Sequence, residues 1–309
     1  MSRLADERRK GLGGTDAAPI LGLSRFRSPA DVYMEKLGLS AEIIPTEAME
    51  WGNRLEDAIC AKYAEVNGVK TRKHKRTVRH PQYPWMLAHL DRYVDPDGIL
   101  DAKSAGIWAV SQWGEEGTDQ VPDDYRLQAV HYMAVTDRDW CDFALLVAGQ
   151  RYRQYRVERD IDIETALIEA EYAFWHENVL ARVPPPVDGS DASRTLLEAR
   201  YPKAEVAEIP PPDGFETLAL EHLALKAAHK DEAARLALLE NLMREALGDA
   251  DQTSGPQYRA RWSNVKTPSR TDWSGVIRDA AVPPAIVEKN TTPGGTTRRF
   301  AVSALEDIG

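Results

Sequence analysis

The amino-acid sequence predicts an α/β fold, because strand-like and helical patterns alternate through residue 181. Strand-like runs bounded by turn signals occupy residues 86–94, 98–104, 140–147 and 150–157. Apolar residues recur at helical spacing in residues 47–68, 121–133 and 163–181. Beyond these patterns the composition changes, which indicates that an extension follows the α/β part of the chain.

The first of these helices is predicted at residues 47–68. Its apolar residues Met49, Ile59 and Val66 keep helical spacing, and the Asn-Gly pair at its end is typical of a C-cap. Glu56 lies beside this apolar stripe. We therefore expect its carboxylate at the border of the buried face, where a ligand site can form.

A hairpin is predicted next, with acidic residues on both strands. The turn signal Asp-Pro-Asp-Gly at residues 95–98 joins the two runs. Side chains alternate between the faces of a strand, so Asp101 and Lys103 share one face of the second run. The hairpin brings Asp91, on the first run, toward this pair. The alternative is a solvent-exposed strand face with a weak ion pair.

Two carboxylates beside a lysine suit a hard divalent cation. Mg²⁺ usually binds one or two protein carboxylates together with waters and substrate phosphates, and Mn²⁺ accepts the same oxygen ligands. Such an ion can activate water and stabilise the phosphate during phosphodiester hydrolysis. Lys103 would orient or deprotonate the water, or hold the scissile phosphate. These residues indicate a metal-dependent nuclease.

The helix predicted at residues 121–133 begins at a proline, which favours the first turn. It places Asp124, Gln128 and Tyr132 along one side. A lone glutamine on a helix is more often a surface residue than a site residue.

Two tryptophans, Trp108 and Trp113, lie between the hairpin and this helix. Residues 106–114 fit an amphipathic helix, so we expect both rings to pack in the core. Stacking on DNA bases near a duplex end is the alternative.

The order of these blocks resembles the YqaJ-like viral recombinase family, relatives of phage lambda exonuclease within the PD-(D/E)xK nuclease superfamily. The matching blocks, which run in order through the first 185 or so residues, are Trp51-Gly52 with Glu56, then Asp91, then Asp101 to Lys103, and residues 128–132. The opening segment at residues 13–24 and the pair Ser28-Pro29 match as well.

The resemblance implies a restriction-endonuclease-like core, with a mixed central sheet flanked by helices and the site at one edge of the sheet. It implies roles for five side chains and one backbone group. The acidic metal ligands would be Glu56, Asp91 and Asp101, with the carbonyl of Ala102 as a backbone ligand. Lys103 would be the catalytic lysine, and Gln128 would steady the water or the metal shell.

This sequence departs from the family pattern at two positions. Asp101 replaces the commoner glutamate, and Arg92 follows Asp91 where glycine is frequent. The second departure leaves Asp97 as an alternative ligand. We favour Asp91, because the turn at residues 95–98 already accounts for Asp97.

The glycine-rich opening segment is one candidate for holding DNA. Thr15 or Asp16 can cap a helix that follows, and Ser24, Arg25 and Arg27 come next. Helix N-termini and guanidinium groups bind phosphate well. In the context of the family they would hold the terminal 5′ phosphate or the adjacent backbone. The alternative is a capped surface helix.

A basic stretch at residues 70–79 is the second candidate, although the whole chain has a formal net charge of -10 and a pI near 5.3. Its cations Lys73, Lys75 and Arg76 immediately precede the predicted hairpin. Such patches bind phosphates without sequence preference. The alternative is a charged strand edge that resists pairing with other chains.

We expect four segments: a nuclease core at residues 1–183, a proline-rich linker at 184–213, a helical segment at 214–250 and a small strand-rich extension at 251–309. His222, His229 and Glu232 interrupt the heptad-like seam of the helical segment. This interruption favours a helix packed on its own body or on a neighbouring subunit over a long coiled coil.

Composition also narrows the class of protein. Its two cysteines cannot form a four-cysteine iron–sulfur site within one chain. With few cysteines, no apolar segment of membrane length and no signal-like N-terminus, we expect a cytoplasmic protein of a bacterium or phage-infected host cell, without a membrane partner.

The expected activity is a Mg²⁺-dependent exonuclease that digests one strand of linear double-stranded DNA and leaves single strands for phage-type recombination. The 5′ to 3′ direction, a ring-like homo-oligomer such as a trimer and a single-strand annealing protein as partner are implied by the resemblance. The alternatives are a noncatalytic DNA-end-binding accessory protein and an endonuclease of the same fold. The acids and Lys103 argue against the accessory protein.

Overall fold

The computed structural model describes residues 7–40, 46–74, 76–202, 210–247, 249–254, 259–261, 280 and 283–289. The chain divides into two compact units, Met1–Arg200 and Tyr201–Gly309. The strands of the first unit are β1 (Leu12–Gly13), β2 (Thr71–Arg72), β3 (Val78–Arg79), β4 (Met86–Ala88), β5 (Arg92–Val94), β6 (Gly98–Ala105), β7 (Trp140–Val147) and β8 (Arg151–Glu158). Its helices are α1 (Gly14–Ile20), α2 (Pro29–Leu37), α3 (Glu47–Asn67), α4 (Asp123–Thr136), α5 (Ile161–Ala173) and α6 (Asp191–Arg200).

A mixed five-stranded sheet, in the order β2-β5-β6-β7-β8 within the described residues, forms the centre of this unit. β6 and β7 are parallel, and helix α4 connects them, whereas the other neighbouring strands are antiparallel. A parallel pair needs such a crossover, whereas short turns join β5 to β6 and β7 to β8. The chain between β2 and β5 contains β3 and β4. This arrangement confirms the predicted α/β class with a mixed central sheet.

The alternation predicted for the second strand of the hairpin is confirmed, because the sheet is covered on both faces. Ile99 belongs to the larger core cluster, which also contains the buried side of α4. Leu100 belongs to the smaller cluster under α3, and the partly buried Ala102 packs against that cluster. Helix α3 ends as predicted, with Gly68 as C-cap in the left-handed region (φ 64°), a conformation that glycine adopts without a steric penalty.

The prediction of a single strand at residues 86–94 is wrong. β4 pairs with β1 and β3 in a separate three-stranded sheet, whereas β5 pairs with β2 and β6. Asp91 lies in the bend between them. Because the β5 pairing reaches only to Arg92, the backbone N–H of Ala102 donates instead to Asp91 Oδ2, at 2.8 Å. The side chain of Asp91 thus takes the place of the next backbone acceptor in the β5–β6 pairing.

Helix α4 is the central helix of the unit, and it is buried on most sides from Leu127 to Val135. It carries His131, whose side chain is fully buried with that of Glu171 on α5. His131 Nδ1 lies 2.8 Å from Glu171 Oε1, and Nε2 lies 3.0 Å from the carbonyl oxygen of Leu87 on β4. Both partners are acceptors, so both ring nitrogens donate. Burial lowers the pKa of His131, but the charge of Glu171 and these hydrogen bonds outweigh it and raise the pKa above its usual value.

We expect Glu171→Ala to lower the free energy of unfolding by about 3–5 kcal/mol, because it leaves a buried imidazolium without its counter-charge. Urea denaturation measures this loss, and the exposed Glu169 on the same helix provides the matched control Glu169→Ala, with a change of about 0.5 kcal/mol or less. The raised pKa stabilises the fold below the usual histidine pKa, and this contribution disappears as the pH rises through the folded value. Equal losses in the two variants would contradict this role.

The first unit continues past the predicted boundary at residue 183 to Arg200. A π-helical turn, Phe174–Leu180, follows α5, and α6 lies within the segment predicted as a linker. Ala192 and Ser193 of α6 are buried, and Ser193 Oγ donates to Asp188 Oδ1 at 2.6 Å. Prolines before α6 suggested an open linker, but this helix contacts α2.

The second unit contains helix α7 (Phe215–Leu247), the antiparallel strands β9 (Gln252–Ser254) and β10 (Arg259–Arg261), and the short helix α8 (Pro284–Lys289). α7 has no buried residue. Residues 262–279 and 290–309 of the predicted strand-rich extension lie outside the described residues. In the part of the chain that is described, no helix is both long and apolar enough to span a bilayer.

Candidate active site

Four of the predicted site residues converge where β5 begins beside β6. Asp91 precedes β5, Asp101 and Lys103 lie on one face of β6, and Gln128 reaches them from α4. Lys103 Nζ is 2.8 Å from Asp101 Oδ2 and 3.1 Å from Gln128 Oε1. Asp91 Oδ2 binds the backbone N–H of Ala102, between the two other charged residues. Local pairing of β6 and the crossover helix therefore assemble the site.

Side chains of helix α4 hold the ammonium group of Lys103 in place. Gln128 accepts from Lys103 through Oε1 and donates through Nε2 to the hydroxyl of Tyr132, one helical turn later, at 3.0 Å. The ring of Tyr125 lies 4.8 Å from Nζ. Burial lowers the pKa of Lys103. The charge and hydrogen bond of Asp101 raise it by more than burial lowers it, so the pKa is above the usual lysine value. Lys103 is therefore a charged donor.

Asp91 lacks enough positive charge around it, and Asp101 has a single cationic partner among the described residues. Burial and the negative charges of Asp101 and Glu56 raise the pKa of Asp91. The backbone N–H of Ala102 and the ammonium of Lys103 lower it by less, so the pKa is about 8. Apart from its ion pair with Lys103, Asp101 Oδ2 is buried without a hydrogen-bond partner among the described residues. Buried carboxylates in this state favour an added cation.

The donor set fits a hard divalent ion. Asp91 and Asp101 supply carboxylate oxygens, the ligand type that Mg²⁺ and Mn²⁺ prefer. Within a strand, the N–H and C=O of one residue point to the same edge. The carbonyl of Ala102 therefore lies at the edge where its N–H meets Asp91, beyond the end of the β5 pairing. Two carboxylates and one carbonyl are thus available on one side of β6.

Glu56 does not join Asp91 and Asp101 as a third ligand in the structure. Its Oε1 lies 3.1 Å from Arg92 Nη1 and 3.1 Å from Lys73 Nζ. Among the described residues, no three side chains of His, Cys, Asp or Glu form a group that could hold a metal ion. Helical spacing predicted Glu56 at the border of the buried face, and the resemblance implied its role as a ligand. Neither indicated the two cations that bind it.

The predicted DNA-binding residues of the opening segment differ in exposure and in their partners. Arg27 binds Asp16 and Glu35, at 3.1 and 2.5 Å, so its charge is already paired. Ser24 Oγ accepts from the backbone N–H of Phe26, and Arg25 is exposed. These residues line an open cleft of about 480 Å³ together with the start of α6.

The basic stretch is only partly free of acidic partners. Lys73 pairs with Glu56 and with Asp57, the second at 2.8 Å. Arg76 is exposed, and Lys75 lies outside the described residues.

A small cavity of about 100 Å³ adjoins the site through Tyr132, and the sequence did not indicate it. The residues that line it and can bind a phosphate come from four distant segments: Arg8, Thr15, Arg27, Lys36, His89 and Tyr132. Asp16 holds the cations together, since it also binds Lys36 Nζ at 2.6 Å.

Close approach of α1 to α4 forms one wall of this cavity. A Cβ atom on Gly14 would lie 2.7 Å from the ring of Tyr132, so only glycine allows this packing. The predicted cap position of Thr15 or Asp16 is wrong, because the helix already begins at Gly14 and Gly13 is its N-cap. Asp16 lies in the first turn and accepts from the backbone N–H of Gly13 at 2.9 Å. The glycine motif thus had a packing reason that only the tertiary structure reveals.

Trp108 and Trp113 have different surroundings. Trp113 is buried and contacts the rings of Tyr125, Phe143 and Tyr155. Trp108 is 89% exposed. The predicted amphipathic helix is a single 3₁₀ turn, Ala109–Gln112, which is too short to cover both rings. Core packing is therefore confirmed for Trp113 and wrong for Trp108.

Comparison with known proteins identifies similar sequences. The model of the family described as the YqaJ-like viral recombinase domain matches residues 5–139. The chain is 30% identical over 264 residues to the uncharacterized protein YqaJ of Bacillus subtilis strain 168, covering 84% of this chain and 82% of that protein.

Solved structures with a related shape include the alkaline exonuclease LHK-Exo from Laribacter hongkongensis. It shares 22% identity, with a TM-score of 0.49, over 58% of this chain and 92% of that chain. A phage-related exonuclease from Haemophilus somnus 129PT shares 14% identity, with a TM-score of 0.41, over 58% of this chain and 99% of that chain.

Proposed function

The chain belongs to the YqaJ-like viral recombinase family, and from this premise we propose that it is a divalent-metal-dependent exonuclease. It hydrolyses one strand of linear double-stranded DNA from an end, in the 5′ to 3′ direction. The product is single-stranded DNA for recombination, passed to an annealing protein. A ring-like homo-oligomer would keep the enzyme on its substrate.

The observation that carries this proposal is the convergence of Asp91, Asp101, Lys103 and Gln128 at the end of the β5 pairing. A module that only binds DNA has no use for the partly buried Asp91 beside the buried Asp101, since carboxylates repel phosphates. Beside an ammonium group that is held by hydrogen bonds, they suit phosphodiester hydrolysis.

Asp91, Asp101 and the carbonyl of Ala102 would hold Mg²⁺, which Mn²⁺ can replace. Bound there, a divalent ion supplies positive charge at the scissile phosphate and makes a nearby water more acidic. Lys103 donates hydrogen bonds to a phosphate oxygen or to the attacking water, and it stabilises the negative charge that develops on the phosphate. Gln128 keeps Nζ in place between the strand and the helix.

The small cavity beside Tyr132 suits a terminal 5′ phosphate. Three cationic side chains, Arg8, Arg27 and Lys36, line it against two acids, Asp16 and Glu35. The remaining positive charge and the hydroxyl of Thr15 favour an anion. Arg25 and Arg76, which are exposed, are available to the neighbouring DNA backbone.

A degradation assay with linear and covalently closed duplexes of the same sequence tests the proposal. With Mg²⁺ we expect loss of the linear DNA only, no loss with EDTA, and earlier release of a 5′ label than of a 3′ label. Binding without degradation would support the accessory protein, and nicking of closed circles would support an endonuclease. Either outcome would overturn the proposed exonuclease.

We expect Trp108→Ala to weaken binding of a duplex end by about 10-fold, because stacking on a base contributes roughly 1–3 kcal/mol and this exposed ring follows β6 closely. Anisotropy of a labelled duplex in EDTA measures the affinity. Thermal unfolding should not change. The matched variant Trp113→Ala should instead lower stability by about 3–5 kcal/mol. Unchanged affinity in Trp108→Ala would exclude a contact with DNA.

A further inference from the structure

The side chain of Arg92 reaches the edge of the candidate active site and binds Glu56. We propose that this guanidinium takes the place that a second divalent cation would occupy, so that the site holds one ion, on Asp91 and Asp101. The inference rests on the proposed nuclease function and concerns the number of ions that the function uses.

The contacts of Arg92 hold it firmly. Its side chain is only 9% exposed. Nη1 donates to Glu56 Oε1 at 3.1 Å and to the backbone carbonyl of Asp91 at 2.5 Å, and Nη2 donates to Asp57. The guanidinium therefore bridges helix α3 and the residue that carries a proposed metal ligand.

The charge balance explains why one ion is enough. A site with two ions needs acidic ligands for both, and Glu56 is the acid that could extend the pair of aspartates. Its Oε1 already faces the positive groups of Arg92 and Lys73, so an ion there would be repelled by both. A guanidinium keeps its charge at all relevant pH values, and its planar shape matches carboxylates.

Arg92 is a positioning residue in this arrangement. It holds Glu56 away from the ion, and its bond to the carbonyl of Asp91 fixes the backbone at the bend before β5. A fixed positive charge beside the ion site also supplies part of the charge that a second ion would bring to a phosphate.

Titration of the full-length protein with Mn²⁺, without DNA, tests the proposal by stoichiometry. Calorimetry and electron paramagnetic resonance of bound Mn²⁺ should give one ion per chain for the wild type. Arg92→Gly removes the buried cation from Glu56 and leaves only the exposed Lys73, which can turn into solvent, so this variant should give two ions with a spin-coupled spectrum. The double variant Arg92→Gly with Glu56→Gln should return to one.

Lys73→Ala is the matched control, because it removes the exposed cation on Glu56 and leaves the buried one. We expect it to keep one ion. Glu56→Gln alone covers the case in which Arg92→Gly does not fold, since Asp57 still binds Arg92 in that variant. It should bind one ion with an affinity within about twofold of the wild type.

Two ions in the wild type, or a tenfold loss of Mn²⁺ affinity in Glu56→Gln, would overturn the inference. A folded Arg92→Gly that still binds one ion would do the same. Failure of the proposed function gives a different result: the wild type would then bind no Mn²⁺ and would leave linear DNA intact in the degradation assay.

Discussion

Lys103→Ala is expected to slow hydrolysis of linear DNA by about 10²–10³-fold, the usual cost of removing one preorganised donor to a developing negative charge. The ammonium group is nearly buried, lies 2.8 Å from Asp101 and 3.1 Å from Gln128, and has a raised pKa, so it is charged in the resting enzyme. No neighbouring lysine on β6 can replace it. Single-turnover release of labelled nucleotides measures the rate.

DNA binding and the fold serve as internal controls for this variant. Affinity for a duplex end in EDTA should stay within about threefold, because phosphate contacts are spread over several cations. The surface variant Lys62→Ala, which removes only an exposed pair with Glu65, should retain the wild-type rate. A Lys103→Ala enzyme with the wild-type rate would remove this residue from the mechanism.

Where one pattern determined the structure, the sequence was sufficient to predict it. The alternation along β6, the turn before it and the C-cap of α3 all depend on neighbouring residues. Hence the common face of Asp101 and Lys103, and the approach of Asp91 across the turn, could be predicted from the sequence alone. Gln128 needed the family resemblance as well, because helical spacing alone does not identify what a helix faces.

Other features could not be predicted because they depend on distant parts of the chain. The run at residues 86–94 has continuous strand-like composition, and only the competition between two sheets divides it. Arg92 reaches Glu56 from strand β5, and Lys73 reaches it from the loop that follows β2. The cavity beside Tyr132 is likewise formed by packing of α1 on α4, which no local spacing encodes.

Asp91→Asn is expected to weaken Mn²⁺ binding by about 100-fold or more, since changes even to groups that only support a metal ligand cost about 10–100-fold. The asparagine oxygen can still accept from the backbone N–H of Ala102, so the bend before β5 should persist. Nuclease activity should fall with the loss of the ion. Calorimetric titration at pH 8 measures the affinity.

The same variant should be more stable than the metal-free wild type at alkaline pH. Burial and Asp101 raise the pKa of Asp91 from 3.8 to about 8, so between these values the folded state keeps a proton that the unfolded chain has lost. The free energy of unfolding of the wild type therefore falls as the pH rises through this window. Asparagine carries no such charge.

Thermal unfolding in EDTA at pH 5 and pH 9 separates the loss of the Asp91 charge from the loss of metal binding. The proteins should match closely at pH 5, whereas at pH 9 the Tm of Asp91→Asn should be higher by a few degrees, at about 2–4 °C for each kcal/mol. Mn²⁺ should raise the Tm of the wild type at pH 9 and leave the variant unchanged, because only the wild type has the full carboxylate pair. If Asp91→Asn were less stable at pH 9, or if Mn²⁺ stabilised both proteins equally, Asp91 would have a structural role and the ion would bind elsewhere.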